Sequence, residues 1–141
     1  MRALFANVML DVAWSLFEMR MLQEPRSDPN AVWTDITHRY LRIVPHPEVP
    51  WWAMRVQLAG NPGYMVNYGL GAVLTAEMRA HTIAAIGSFD TGNAQWYAWL
   101  SEHLLRYGSE RDTQTLMQDL LGRPVSPAAL LQQIKRCGSA R

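Results

Sequence analysis

Apolar side chains return along this chain at steps of three and four residues, and no apolar-polar alternation of useful length interrupts them, so the pattern predicts helices and no sheet. The first such segment covers residues 2–22. Leu4, Val8, Val12, Leu16 and Met19 share one face, while Phe5, Met9, Trp14, Phe17 and Met21 spread over the rest. A helix apolar nearly all round is expected to be buried on every side, yet this one opens at Met1-Arg2-Ala3 with no N-cap, as if entered in mid-helix. Further protein, upstream or alongside, is therefore expected to cover it. Glu18, which with Asp11 makes two acids in this run, reads as a solvated or arginine-paired charge.

Turn residues 24–30 end the segment, with Asp28 placed to cap and Pro29 to open a second helix reaching about Ile43. Trp33, Ile36, Tyr40 and Leu41 form its inward stripe, and Asp35, His38 and Arg39 face away. Pro45, Pro47 and Pro50 then make a stiff extended connector carrying His46 and Glu48, read as a packing corner beside Trp51 and Trp52. A short helix over 51–58 ends at Ala59-Gly60-Asn61-Pro62.

The longest segment runs from Gly63 to Gly87, with Pro62 just before it and Gly87 where a left-handed residue usually ends a helix. Tyr64, Tyr68, Gly71 and Thr75 share a narrow stripe; Gly69, Ala72, Ala76 and Ala80 form a second stripe of small residues. Small residues allow another helix to approach closely, whereas phenol, glycine and hydroxyl suit a wall open to water or a ligand. The tyrosines also fit a purely structural role, ring inward and hydroxyl outward at the core boundary. After a turn through Ser88, Phe89, Asp90, Thr91, Gly92 and Asn93, a helix with Trp96, Trp99, Leu100, His103, Leu104 and Tyr107 on one face ends at Gly108. Two more follow, over about 113–121 and from Ser126-Pro127 onward, the last using Leu130, Leu131 and Ile134. The expected architecture is all-α: a single domain over 1–141 of about seven helices, built around the long central one.

Composition narrows the class. With 49% hydrophobic residues, six Trp and eight Met, the chain has material for a real core. Thirteen Lys and Arg against twelve Asp and Glu give a net charge of +1, which provides neither a nucleic-acid footprint nor a basic membrane patch. No stretch reads as a membrane span or a signal peptide, so the cytoplasm is the expected compartment. The one cysteine, Cys137, has no partner for an internal disulfide and lies near the chain end.

Candidate chemistry is sparse. His38, His46, His81 and His103 include no pair at the spacing of a helical zinc site. Glu77 and His81, four apart, fit a hydrogen bond better than a metal, and two ligands fall short of a site. Glu102 and His103 are adjacent and face different ways. There is no nucleophile elbow and no phosphate-binding glycine loop. Within this chain no catalytic residue and no cofactor is expected.

One series of residues carries a resemblance. Gly63-Tyr64, Tyr68, Leu70-Gly71 and Thr75-Ala76-Glu77-Met78, followed in order by Gly87-Ser88-Phe89, Trp99-Leu100, Tyr107-Gly108, Leu121-Gly122 and Pro127-Ala128, resembles the C-terminal part of carboxypeptidase Taq-type zinc peptidases. The Gly-Tyr-x-x-x-Tyr segment is also similar to that of the thimet oligopeptidase and oligoendopeptidase F group. The resemblance implies a substrate-cleft portion of a helical zinc metallopeptidase, with zinc in the full enzyme, peptide as substrate and Tyr64 and Tyr68 as substrate-binding or oxyanion-stabilising phenols. Two departures stand out: Gly71 replaces a further tyrosine of the thimet group, and Asn61-Pro62 replaces histidine-bearing sequence. The His-Glu-x-x-His motif is absent from these residues, so the chain alone is expected to be inactive. The alternative is a free-standing helical interaction or dimerisation module, or a degenerate relic of such a peptidase, that uses its apolar surface to pair with a second copy rather than with a metal-bearing half.

Overall fold

The computed structural model describes the backbone of residues 2–89 and 92–139 and the side chains of 7–89 and 92–137. The side chains of Leu4 and Phe5, assigned above to the faces of the first helix, and Asp90 and Thr91 of the turn after Gly87 lie outside the described residues. The rest is all-α: seven α-helices, two short 3-10 turns and, among the described residues, no strand. The helices are α1 (Arg2–Gln23), α2 (Pro29–Leu41), α3 (Val56–Gly60), α4 (Val66–Ile86), α5 (Gln95–His103), α6 (Thr113–Leu121) and α7 (Ala128–Ser139). Among the described residues, none is long and apolar enough to cross a membrane. The chain divides into two compact units, 1–72 and 73–141, the division falling inside α4.

The first unit is organised by aromatic packing between α1 and α2. Trp14 stacks on Trp33 with ring centres 3.9 Å apart and 23° between planes, and Phe17 meets Trp33 edge-on at 5.6 Å. Ala13, Val32, Ile36 and Met65 complete this core, in which each large apolar side chain contributes about 1.5–3 kcal/mol. Trp52 closes one side, 6.0 Å from Phe17, and its indole N–H donates to Asn30 Oδ1 at 2.6 Å. The buried side of α1 is thus the Ala13, Trp14, Phe17 side, whereas Met19 is exposed and Val8, Val12 and Leu16 are half-buried. On α2, Trp33 and Ile36 are buried as the periodicity indicates, but Tyr40 is exposed because the helix ends at Leu41 and Arg42 turns into a left-handed conformation (φ 60°). Asp28 caps this helix, accepting from the Asn30 N–H at 2.9 Å with Pro29 in its first turn. The helix expected over 51–58 is broken: a 3-10 turn, Trp51–Met54, and α3 are separated by Arg55 in an extended conformation, its guanidinium 5.1 Å from the Trp14 ring centre.

The second unit centres on Met117, Leu120 and Leu121 of α6, against which Leu74, Met78, Trp99 and Leu104 pack. Asp112 caps α6, accepting from the Thr115 N–H at 2.9 Å and its hydroxyl at 2.7 Å, and Gly122 (φ 66°) ends it. The helix expected to run to Tyr107 stops at His103; Leu104 leaves helical geometry and Leu105–Tyr107 form a 3-10 turn before Gly108. Gly87, at φ 85°, closes α4 by donating its N–H to Ile83 O at 2.9 Å.

Candidate functional site

The Gly-Tyr-x-x-x-Tyr segment forms the entrance to α4, and the helix begins later than its periodicity predicts. Gly63 adopts φ 90°, a conformation that interrupts a helix, so Tyr64 lies ahead of the first helical residue, Val66. Tyr64 N–H donates to Asn61 O at 3.0 Å, and the Tyr64 and Met65 carbonyls accept from Asn67 N–H (3.1 Å) and Tyr68 N–H (3.2 Å), winding the chain into the helix through i to i+3 bonds.

Two side chains of α1 hold this entrance. Glu18 is only 3% exposed, and its two carboxylate oxygens accept from the Gly63 N–H at 2.8 Å and the Val66 N–H at 3.2 Å. A carboxylate here fills the role of an N-cap: it satisfies donors that have no partner within the helix and lies at the positive end of its dipole. Ser15, one turn earlier, places its hydroxyl 2.9 Å from both Asp11 O and Met65 O, with one proton to share between them. The hydroxyl sits where a Cβ on Gly69 would come within 3.0 Å, so glycine allows α1 and the first turns of α4 to approach this closely. The small stripe thus has the expected use at Gly69. Glu18 does not: it is buried, and among the described residues its partners are backbone N–H groups rather than an arginine. The signal for both residues was a pair of polar side chains three apart in the otherwise apolar 12–19 stretch of α1, which demands partners inside the protein.

Outside this anchor the tyrosines are open. Tyr64 is 44% and Tyr68 37% exposed, and their rings meet edge to face with centres 5.8 Å apart and 67° between planes. Among the described residues, neither phenol O–H meets an acceptor. Asn67 and Leu70 are exposed beside them, while Met65 points into the core at 1% exposure. Thr75, the last member of the predicted stripe, is exposed and belongs to the second unit.

The other candidate residues have local roles. Glu77 is fully buried and does not bond His81; it pairs with the Arg123 guanidinium and accepts from the Ser126 hydroxyl at 3.2 Å and the Ala129 N–H at 3.3 Å, at the start of α7. Burial pushes its carboxyl up, but the bonds from Arg123, Ala129 and Ser126 together outweigh burial and hold it below the usual carboxylate range. The His81 and Trp99 ring centres are 5.8 Å apart, and His103 stacks on Trp99 with ring centres 4.3 Å apart. His38 Nδ1 is 3.0 Å from Ile43 O, and His46 pairs with Glu48 at 3.2 Å on the exposed connector. Among the described residues, no three His, Cys, Asp or Glu side chains gather where they could hold a metal, so zinc does not fit the residues present. Cys137 is exposed and free. A cleft bounded by Trp33, Thr37, Ile43, His46 and Trp51 has about 30 Å³ of accessible space, room for a water molecule or a methyl group and far less than a peptide side chain needs.

Neither a scan against protein-family models nor searches of curated proteins and of solved structures return a match to this chain.

Proposed function

We propose that this chain forms one wall of the peptide-binding cleft of a helical zinc peptidase, with Tyr64 and Tyr68 as hydrogen-bond donors toward the peptide and the metal held by a His-Glu-x-x-His segment that these 141 residues do not contain. The carrying observation is the tyrosine pair: two exposed phenols with no acceptor among the described residues, on a backbone clamped by buried groups of α1. Their place in the Gly-Tyr-x-x-x-Tyr series supports the same reading. A phenol O–H fixed in this way donates to a peptide carbonyl and strengthens its hold as that oxygen gains negative charge, without first having to break a bond inside the protein. Ring faces beside Asn67 and Leu70 offer apolar and amide contact to the rest of an extended peptide. The chain itself holds and orients; it supplies neither nucleophile nor metal.

Binding of a fluorescently labelled extended peptide to the full chain, followed by anisotropy, tests the reading. Saturable binding weakened in both Tyr64→Phe and Tyr68→Phe is expected. Binding that is absent at millimolar chain, or indifferent to both substitutions, contradicts it.

A second reading has its own observation. Leu22, Val44, Met54 and Val56 in the first unit and Tyr97 in the second are 57–82% exposed, large apolar side chains left open to solvent. A helical module that pairs with another protein surface accounts for these residues, and it needs nothing from the tyrosines.

A further inference from the structure

Glu18 lies on α1, far in sequence from the tyrosines, and it is buried in a helix whose other inward residues are apolar or small. Burying a carboxylate is costly, and an apolar residue with its own local cap on α4 would serve stability equally well. What the carboxylate adds is geometry. Its two oxygens take the N–H of Gly63 and the N–H of Val66, the residues on either side of the Tyr64-Met65 pair. The Ser15 hydroxyl donates to the carbonyl of Met65 between them. Three contacts, to Gly63, Met65 and Val66, fix the torsions that set the direction of Tyr64 among them, and through the first helical turn that of Tyr68, four residues on and in ring contact with it. No other side chain bonds this backbone stretch among the described residues.

We infer that Glu18 is a positioning residue for the tyrosine pair. It fixes the Gly63 turn so that both phenols face the peptide, an assignment that rests on the peptide-cleft reading above. Gly63 is part of the device, since its positive φ lets its N–H turn toward the carboxylate.

The test uses the full chain labelled with 3-fluorotyrosine, whose five tyrosines give fluorine resonances assigned by single Phe substitutions. In Glu18→Gln, which keeps the shape and replaces one acceptor oxygen by a donor, the Tyr64 and Tyr68 resonances are expected to shift and broaden. Those of Tyr97 and Tyr107 stay in place, and the Gly63 and Val66 amides exchange about tenfold faster or more. A Glu18→Gln chain that keeps its helix content and loses amide protection but leaves both tyrosine resonances unmoved overturns the positioning role. Should that variant not fold, Gly63→Ala strains the same turn from an open, exposed position with no new contact, and it must move the same two resonances; unmoved resonances there also overturn the role. A peptide titration of the unaltered chain separates the two ideas: tyrosine resonances that respond to Glu18→Gln and ignore added peptide retain the positioning role and sink the peptide-cleft reading.

Discussion

Replacing Tyr68 by Phe removes one phenol O–H and keeps the ring that meets Tyr64 edge to face. On the proposed peptide-cleft reading, a complex of the chain with a metal-bearing segment that turns over peptide is expected to lose about 10²–10³ in kcat on Tyr68→Phe, the usual cost of one oxyanion donor, with the melting temperature unchanged. Steady-state kinetics with circular dichroism checks both halves of that statement. Glu77 gives a residue-scale prediction that is independent of function. Its folded-state pKa is depressed, so its bonds to Arg123, Ser126 and Ala129 stabilise the second unit above the ordinary carboxylate range, and that contribution disappears as pH falls through the depressed value. Melting temperature should therefore hold steady from pH 7 to about 5 and fall below about 4. Glu77→Gln should melt lower at pH 7 and show a shallower acid slope. Arg123→Ala, which leaves the carboxylate buried without its cation, is expected to cost about 1.5–3 kcal/mol at pH 7, read by urea denaturation.

Elements were legible in the sequence where both ends are marked locally. The bounds of α6 match the expected 113–121, the start of α2 follows from Asp28-Pro29 and the end of α4 from Gly87. The start of α4 was not legible, because its cap comes from Glu18, 45 residues away, and periodicity carries no information about such a partner. For the same reason the tyrosines were visible as a pattern while the groups that hold them were not. The breaks at Arg55 and Leu104 reflect tertiary demand: Arg55 leaves the helix with its guanidinium over Trp14, and Leu104 leaves it while reaching the α6 core. The approach of α1 to α4 yields a prediction of its own. Gly69→Ala gains about 1 kcal/mol of helix propensity but drives its Cβ to 3.0 Å from the Ser15 hydroxyl, which two backbone carbonyls already hold. Alone it should destabilise; with Ser15→Ala, which leaves only the 3.7 Å contact to the Ser15 Cβ, the loss should shrink. A double-mutant cycle in urea should report a coupling of about 0.5 kcal/mol or more.

At the scale of the whole molecule, composition and periodicity were enough for the all-α class, and the two separate cores show how the apolar residues are shared out. The apolar character of α1 is only partly absorbed: Ala13, Trp14 and Phe17 are buried, Met19 and Leu22 are exposed, and Val44, Met54 and Val56 add further open surface in the same unit. Side chains of this size forfeit about 1.5–3 kcal/mol each when left in water, so the chain is expected to associate at about 10⁻⁴ M. Light scattering reporting a clean monomer at that concentration would show the exposed residues to be scattered rather than joined in a sticky face.

The peptide-cleft account stands or falls on where a peptide lands. A ¹⁵N-¹H correlation map of the full chain, recorded while an extended peptide is titrated to millimolar concentration, reads this directly. The account predicts saturable shifts at Gly63, Tyr64, Asn67 and Tyr68, with the amides around Glu77 and Trp99 unmoved. Shifts confined to Leu22, Val44, Met54 and Val56, or no shifts at all, contradict it.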